Sequence, residues 1–199
     1  RLLAEEAERH PDWEPTLETT REPEEKLQRK DEELNLADLI TCPSQFVLNS
    51  IPPKIRNAKP CLVAPFGSPP TDKHTTRPES YSPSSPLKVL FVGSMSQRKG
   101  LADLFAAFHL LDHKNFHLTV LGAPALPLSF YRSKLSNFTH LSPMPRPQVL
   151  TAMREQDILA LPSIAEGRAL VQQEALYSGL PLLVTKNAGG DDLIEEERT

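Results

Sequence analysis

Between Leu87 and Thr185, short apolar runs alternate with longer amphipathic stretches in a steady rhythm. "LKVLFVG" (87–93), "FHLTVLG" (116–122), "FTHLS" (138–142), "DILALPS" (157–163) and "LPLLVT" (180–185) have the length and apolar density of strands buried on both faces. The stretches between them read as helices: "GLADLFAAFHLLD" (100–112), "PLSFYRSKLSN" (127–137), "RPQVLTAMREQ" (146–156) and "RALVQQEALYSG" (168–179). This alternation predicts an α/β, Rossmann-like parallel sheet with helices on both faces. In open sheets of this kind ligands bind beyond the carboxyl ends of the strands, which selects the loops 93–100, 122–127, 162–169 and 185–192.

Upstream the pattern is weaker. Residues 22–37 favour a helix with acids in its first turn but few apolar positions, so most of its surface should be solvated. "DLITCPSQFVLNSI" predicts a short strand over Leu39 to Cys42 and a helix from Ser44 to Ser50, and "PCLVAPFG" a second short strand. From Gly67 to Pro86, five prolines interleave with serines and threonines, the composition of a linker or surface loop.

With 39% hydrophobic and 24% charged residues in 199, the chain has the composition of a globular protein. It has no apolar run of membrane-spanning length and no export-signal pattern, which makes a cytoplasmic protein the default expectation. Cys42 and Cys61 are too few for a disulfide framework or a zinc site and read as small apolar residues. The net charge of −4 is uneven: residues 1–35 hold twelve acids and six bases, leaving 14 acids and 16 bases for the remainder. That faint positive excess suits a phosphorylated small molecule and is far too weak for nucleic acid. The chain opens on Arg1 and stops after "DDLIEEERT" with no closing helix, and it reads as a piece of a longer protein.

Two constellations carry chemistry. Arg98 and Lys99 stand between a buried strand and the start of a helix, where unpaired N–H groups and adjacent cations would hold a phosphate; a solvated basic turn is the plainer alternative. Glu166 and Glu174 are separated by seven residues. If a helix starts near Arg168, Glu174 lies about two turns in, roughly 10 Å along the axis, a span that matches a nucleotide sugar. A diphosphate would then meet the N–H groups of Ala169, Leu170 and Val171, with Glu174 at the ribose and Glu166 at the sugar. The plainer alternative makes Glu166 a helix cap and Glu174 an exposed helical residue.

"FVGSMSQRKGLADLFAAF", "ADLITCPSQFV" and "DILALPSIAEGRALVQQEALYSGLPLLVTKNAGGDDLI", with the Glu-seven-Glu spacing, resemble the retaining glycosyltransferases of glycosyltransferase family 4 (glycosyl transferases group 1), which have the GT-B fold. The resemblance runs from about Ala37 to Ile194. It implies residues 1–66 as the tail of an N-terminal, acceptor-side domain, 67–86 as the interdomain connection and 87–199 as an incomplete donor-binding domain. It further implies that Lys99 binds the donor diphosphate, Glu166 the sugar and Glu174 the ribose. Gly93, Ser94 and Gly167 complete the implied donor contacts.

Two departures stand out. Ser94 replaces a frequent arginine, whose charge Arg98 would supply, and "EGRAL" replaces "EGFGL", so that Arg168 adds a charge or faces solvent while the Ala169 methyl narrows the approach. The implied reaction moves a sugar from a nucleoside-diphosphate-sugar to an acceptor hydroxyl with retention. No cofactor is implied: the sequence has no Asp-x-Asp motif, its histidines show no ligand spacing, and fixed cations can stand in for a metal. The acceptor, whether a sugar, a lipid-linked molecule or another small molecule, is unspecified, and the N-terminal domain is the part that would associate peripherally with a membrane. The alternative reading is a nucleotide-sugar-binding module that does no chemistry, and a GT-B epimerase or phosphorylase is a third.

Overall fold

The computed structural model describes residues 1–17, 22–67, 85–112 and 114–194. The chain begins with helix α1 (Leu2–Arg9) and a 3-10 turn over Pro11–Thr16. A small unit follows: α2 (Glu24–Leu36), β1 (Ile40–Cys42), α3 (Gln45–Ser50), α4 (Pro53–Ala58) and β2 (Cys61–Val63). β1 and β2 pair in parallel, and Ile40, Cys42, Ile51 and Ile55 form the unit's core. Ser44 begins α3 as its cap, its Oγ accepting the Val47 N–H. No residue of α2 is buried, as its sparse apolar pattern predicts. Cys42 is buried and Cys61 half-buried, and both are free thiols.

Beyond Ser85 lie β3 (Leu87–Val92), α5 (Leu101–His109), β4 (Phe116–Leu121), α6 (Leu128–Lys134), β5 (Thr139–Leu141), α7 (Arg146–Arg154), β6 (Ile158–Leu161), α8 (Leu170–Tyr177) and β7 (Leu182–Val184). All five strands are parallel, in the order β5-β4-β3-β6-β7. The chain therefore builds outward from β3 to β5, then crosses back to start again with β6. The crevice between the carboxyl ends of β3 and β6 is the topological switch point, where ligands of doubly wound folds bind.

The alternation of side chains explains the two layers of helices. Val89, Phe91, Leu118 and Val120 face Leu101, Phe105, Phe108, Tyr131 and Leu135 from α5 and the α6 region. Leu90, Leu121 and Leu159 face Val149 and Met153 of α7 and Ala175 of α8. The parallel sheet with helices on both faces is thus as the sequence predicts. Most of the proline-rich stretch, residues 68–84, lies outside the described residues.

Residues 1–17 depart from expectation. Grouped by sequence with the N-terminal unit, they pack instead against the five-stranded domain. Trp13, 5% exposed, meets Phe105, Phe130 and Tyr131 edge-on with ring centroids 5.1–5.7 Å apart. Such aromatic pairs are worth about 0.5–1.5 kcal/mol each beyond the area they bury. Among the described residues no helix is long and apolar enough to cross a membrane.

Candidate functional site

The loop after β3 reaches the loop after β6 because Gly100 allows it. Its φ is 75°, and a Cβ there would stand 1.9 Å from the carbonyl oxygen of Pro162. The Ile164 N–H donates to Arg98 O (2.9 Å), which ties the two loops edge to edge. Residues Gln97–Lys99 form a single 3-10 turn on this seam, so Arg98 and Lys99 leave it side by side. The Lys99 methylenes lie over Gly93, at ordinary van der Waals distance from where a Cβ would stand. The Lys99 ammonium and Arg98 Nη1 (3.1 Å) both reach Glu166 Oε2. Two cations from one loop and a carboxylate from the other, 67 and 68 positions apart in sequence, thus meet at the switch point.

The other two loops selected from the sequence hold this seam in place. After β4, Gly122 packs so closely on Gly93 that a Cβ would fall 1.7 Å from Gly93 O. The Tyr131 hydroxyl accepts the N–H groups of Ala125 and Leu126 and donates to Met95 O. Burial pushes its pKa up, so it stays a donor. After β7, Asn187 O accepts the Glu166 N–H (3.0 Å) and the Asn187 side chain donates to Ile164 O (2.9 Å). Ser94 Oγ lies 3.2 Å from Ser96 Oγ, inside the same turn.

The segment from Gly167 to Val171 corrects three expectations. α8 begins at Leu170 rather than near Arg168, so Glu174 sits little more than one turn in, about 6 Å along the axis. The Ala169 N–H is not open to a diphosphate in this structure: it bonds Ala188 O (3.2 Å), and the Ala169 methyl is buried in the core, leaving Leu170 and Val171 to open the helix. Arg168 neither faces solvent nor adds charge to the crevice. Only 1% of its side chain is exposed; Nη1 and Nη2 bind Asp192 at 2.5 and 2.9 Å, and Nη1 also donates to Gly189 O. This pairing pulls the backbone at Ala169 into an extended shape and delays the helix. The Arg168 guanidinium also holds the Asp192 carboxyl below the usual carboxylate range, despite an opposing contribution from burial.

Gly167 O accepts a hydrogen bond from Ser44 Oγ (2.5 Å), which brings the N-terminal unit to the edge of the β6 loop. Glu174 does not join Glu166; Arg146 Nε binds it at 2.7 Å. Together with Gly67, Leu170 and Gln173, this pair lines a hollow of about 320 Å³. Arg146 is not among the sequence candidates because it follows β5, whose loop is not one of the four selected from the sequence.

The fold is an open α/β sheet with two cations and a carboxylate meeting at its switch point. The family can be named. Residues 72–199 match the family "Glycosyl transferases group 1", and the chain belongs to it. Over 128 residues the chain is 28% identical to the D-inositol 3-phosphate glycosyltransferase of Arthrobacter sp. (strain FB24), covering 59% of this chain and 30% of that protein. Sucrose-phosphate synthase from Thermosynechococcus elongatus superposes with a TM-score of 0.72 at 19% identity, over 92% of this chain and 49% of the synthase. "Trehalose-6-phosphate from E. coli bound with UDP-2-fluoro glucose" superposes with a TM-score of 0.63 at 14% identity, over 84% of this chain and 51% of that one. The fold is that of GT-B glycosyltransferases, and the chain spans between 30% and 51% of these relatives' lengths.

Proposed function

We propose that this chain is the donor side of a retaining glycosyltransferase, which moves a sugar from a nucleoside-diphosphate-sugar to an acceptor hydroxyl. The observation that supports this best is the meeting of Lys99, Arg98 and Glu166 at the switch point. With donor bound, the diphosphate takes the place of the Glu166 carboxylate on Lys99 and Arg98, and Leu170 and Val171 add the N–H groups of the α8 N-terminus. Glu166, released, faces the sugar. Glu174 reaches the ribose from the hollow it shares with Leu170.

The departing diphosphate gains negative charge as the glycosidic bond breaks, and Lys99 and Arg98 are fixed where that charge grows. The acceptor hydroxyl then attacks the anomeric carbon from the face the diphosphate leaves, its proton passing to the departing diphosphate oxygen, and the configuration is kept. Two cations held by backbone seams supply the charge that a divalent ion would otherwise provide.

Calorimetric titration of the chain with UDP, GDP and ADP tests the reading. At least one should bind, with Lys99→Ala weakening it by about 1.5–3 kcal/mol, the worth of hydrogen bonds to a charged group. Binding that is absent from the unaltered chain, or indifferent to Lys99, would sink the proposal.

A further inference from the structure

The turn bearing Arg98 and Lys99 is gripped from behind by a segment far away in sequence. Gln97, the residue before Arg98, is fully buried. Its backbone N–H donates to Thr16 Oγ1 (2.9 Å), and Thr16 is itself fully buried, with its hydroxyl donating to Trp13 O (2.7 Å). The Gln97 side-chain amide donates to Glu6 Oε2 (2.8 Å) and Asp103 Oδ2 (2.7 Å), while its carbonyl accepts the Ala102 N–H (2.8 Å). Glu6, 5% exposed, is completed by Arg9 Nη1 at 2.7 Å. Glu6, His10 and Asp103 bring ligand atoms within 4.8 Å of one another, but both carboxylates are already taken by Gln97 and Arg9, so the cluster works as an anchor.

A buried glutamine with all these bonds made has one position, and it sets the position of the residues attached to it. We infer that residues 2–17 form a strap that fixes the cationic turn, with Glu6 and Thr16 acting through Gln97 as positioning residues for Arg98 and Lys99. The strap holds the turn through Gln97, whereas Glu166 meets it at Arg98 and Lys99. It determines whether the two cations emerge aimed at the switch point or as a loose basic turn. Small displacements of groups that must meet a diphosphate cost much of their effect. The ligand part of this inference rests on the donor reading above; the geometric part does not.

The test uses the whole chain with Thr16→Val, which keeps the shape of the side chain but removes the acceptor for Gln97, and Thr16→Ser, which restores it. Glu6→Ala and Glu6→Gln form a second pair of the same logic. Met153→Val, buried on the opposite face of the sheet, is the control for general destabilisation. Amide exchange at Lys99 and Gly100, whose N–H groups bond Ser96 O and Gln97 O within the turn, reports its order without any ligand. Titration with UDP, GDP and ADP reports its aim.

Thr16→Val and Glu6→Ala should speed exchange at both amides and weaken nucleotide binding on the order of tenfold. Thr16→Ser and Glu6→Gln should recover most of both, and Met153→Val should alter neither beyond its drop in melting temperature. Unchanged exchange at Lys99 and Gly100 in Thr16→Val and Glu6→Ala would overturn the strap, whatever their melting temperatures do. If the unaltered chain binds none of the nucleotides, the donor reading falls, and the exchange data still decide the strap.

Discussion

Two of the cation–carboxylate groupings near the carboxyl edge of the sheet differ in how much water their cations keep. Between β3 and β6, Lys99 and Arg98 share Glu166 with 12%, 27% and 17% of their side chains exposed. Between β6 and β7, Arg168 is bound by Asp192 with 1% of its side chain exposed. The same chemistry therefore serves opposite ends. A pair that solvent can reach exchanges its partner for an incoming anion at small cost. A guanidinium sealed under two loops cannot give up its carboxylate without standing uncompensated, so it locks the backbone that carries Glu166.

The hardest test of this contrast is to remove Asp192. Asp192→Ala leaves the Arg168 charge buried and should cost about 3 kcal/mol in urea unfolding, the low end for breaking a buried pair because Asp192 itself is half exposed. A loss below about 1 kcal/mol would place Arg168 with the exposed pairs. Lys99→Ala should show the reverse profile. Its stability should move by less than about 1 kcal/mol, while the weakened nucleotide binding described above appears in the same preparation.

Glu174→Gln sharpens the site further. Nucleoside diphosphate binding should fall by about 1 kcal/mol while binding of inorganic pyrophosphate, which has no ribose, stays the same. Equal losses for both ligands would assign Glu174 to the phosphates through Arg146 instead.

The smallest effect is in pH. Because Arg168 lowers the Asp192 pKa, the stability of that pair is fully present above the usual carboxylate range and is lost as acid protonates Asp192 at its lowered value. Between pH 7 and pH 3, Asp192→Asn should lose less stability than the unaltered chain, as read by urea midpoints. Parallel acid sensitivity in the two proteins would remove Asp192 from the linkage.

Much of this arrangement is legible in the residues. The strands from β3 to β7 are short apolar runs, and their identity follows from burial on both faces, a property each run carries within itself. That Lys99 and Glu166 lie at one edge of the sheet also follows, from the rule that ligands bind beyond the carboxyl ends of its strands, but their direct contact and the pairing of Glu174 with Arg146 do not. The helix start at Leu170 did not follow, because "RALVQQEAL" has an unbroken helical pattern and only the distant Asp192 and Ala188 hold its first two residues out. The strap escaped for a related reason. Trp13 and Leu17 are isolated apolar residues without a period, and the strap acquires its partners from α5, α6 and the Gln97 turn.

The sequence by itself determined the local grammar: which runs are strands, which stretches are helices, and which loops carry charge. Those properties depend on a few adjacent side chains and on period two or 3.6. Only the tertiary structure decided which charges are chemistry and which are mortar. Arg98, Lys99 and Arg168 are alike as residues, and their roles diverge through burial and the partner each one meets, quantities set by chain segments scores of positions away. The same holds for Glu6 and Glu166, one sealed behind the cationic turn and the other open in front of it.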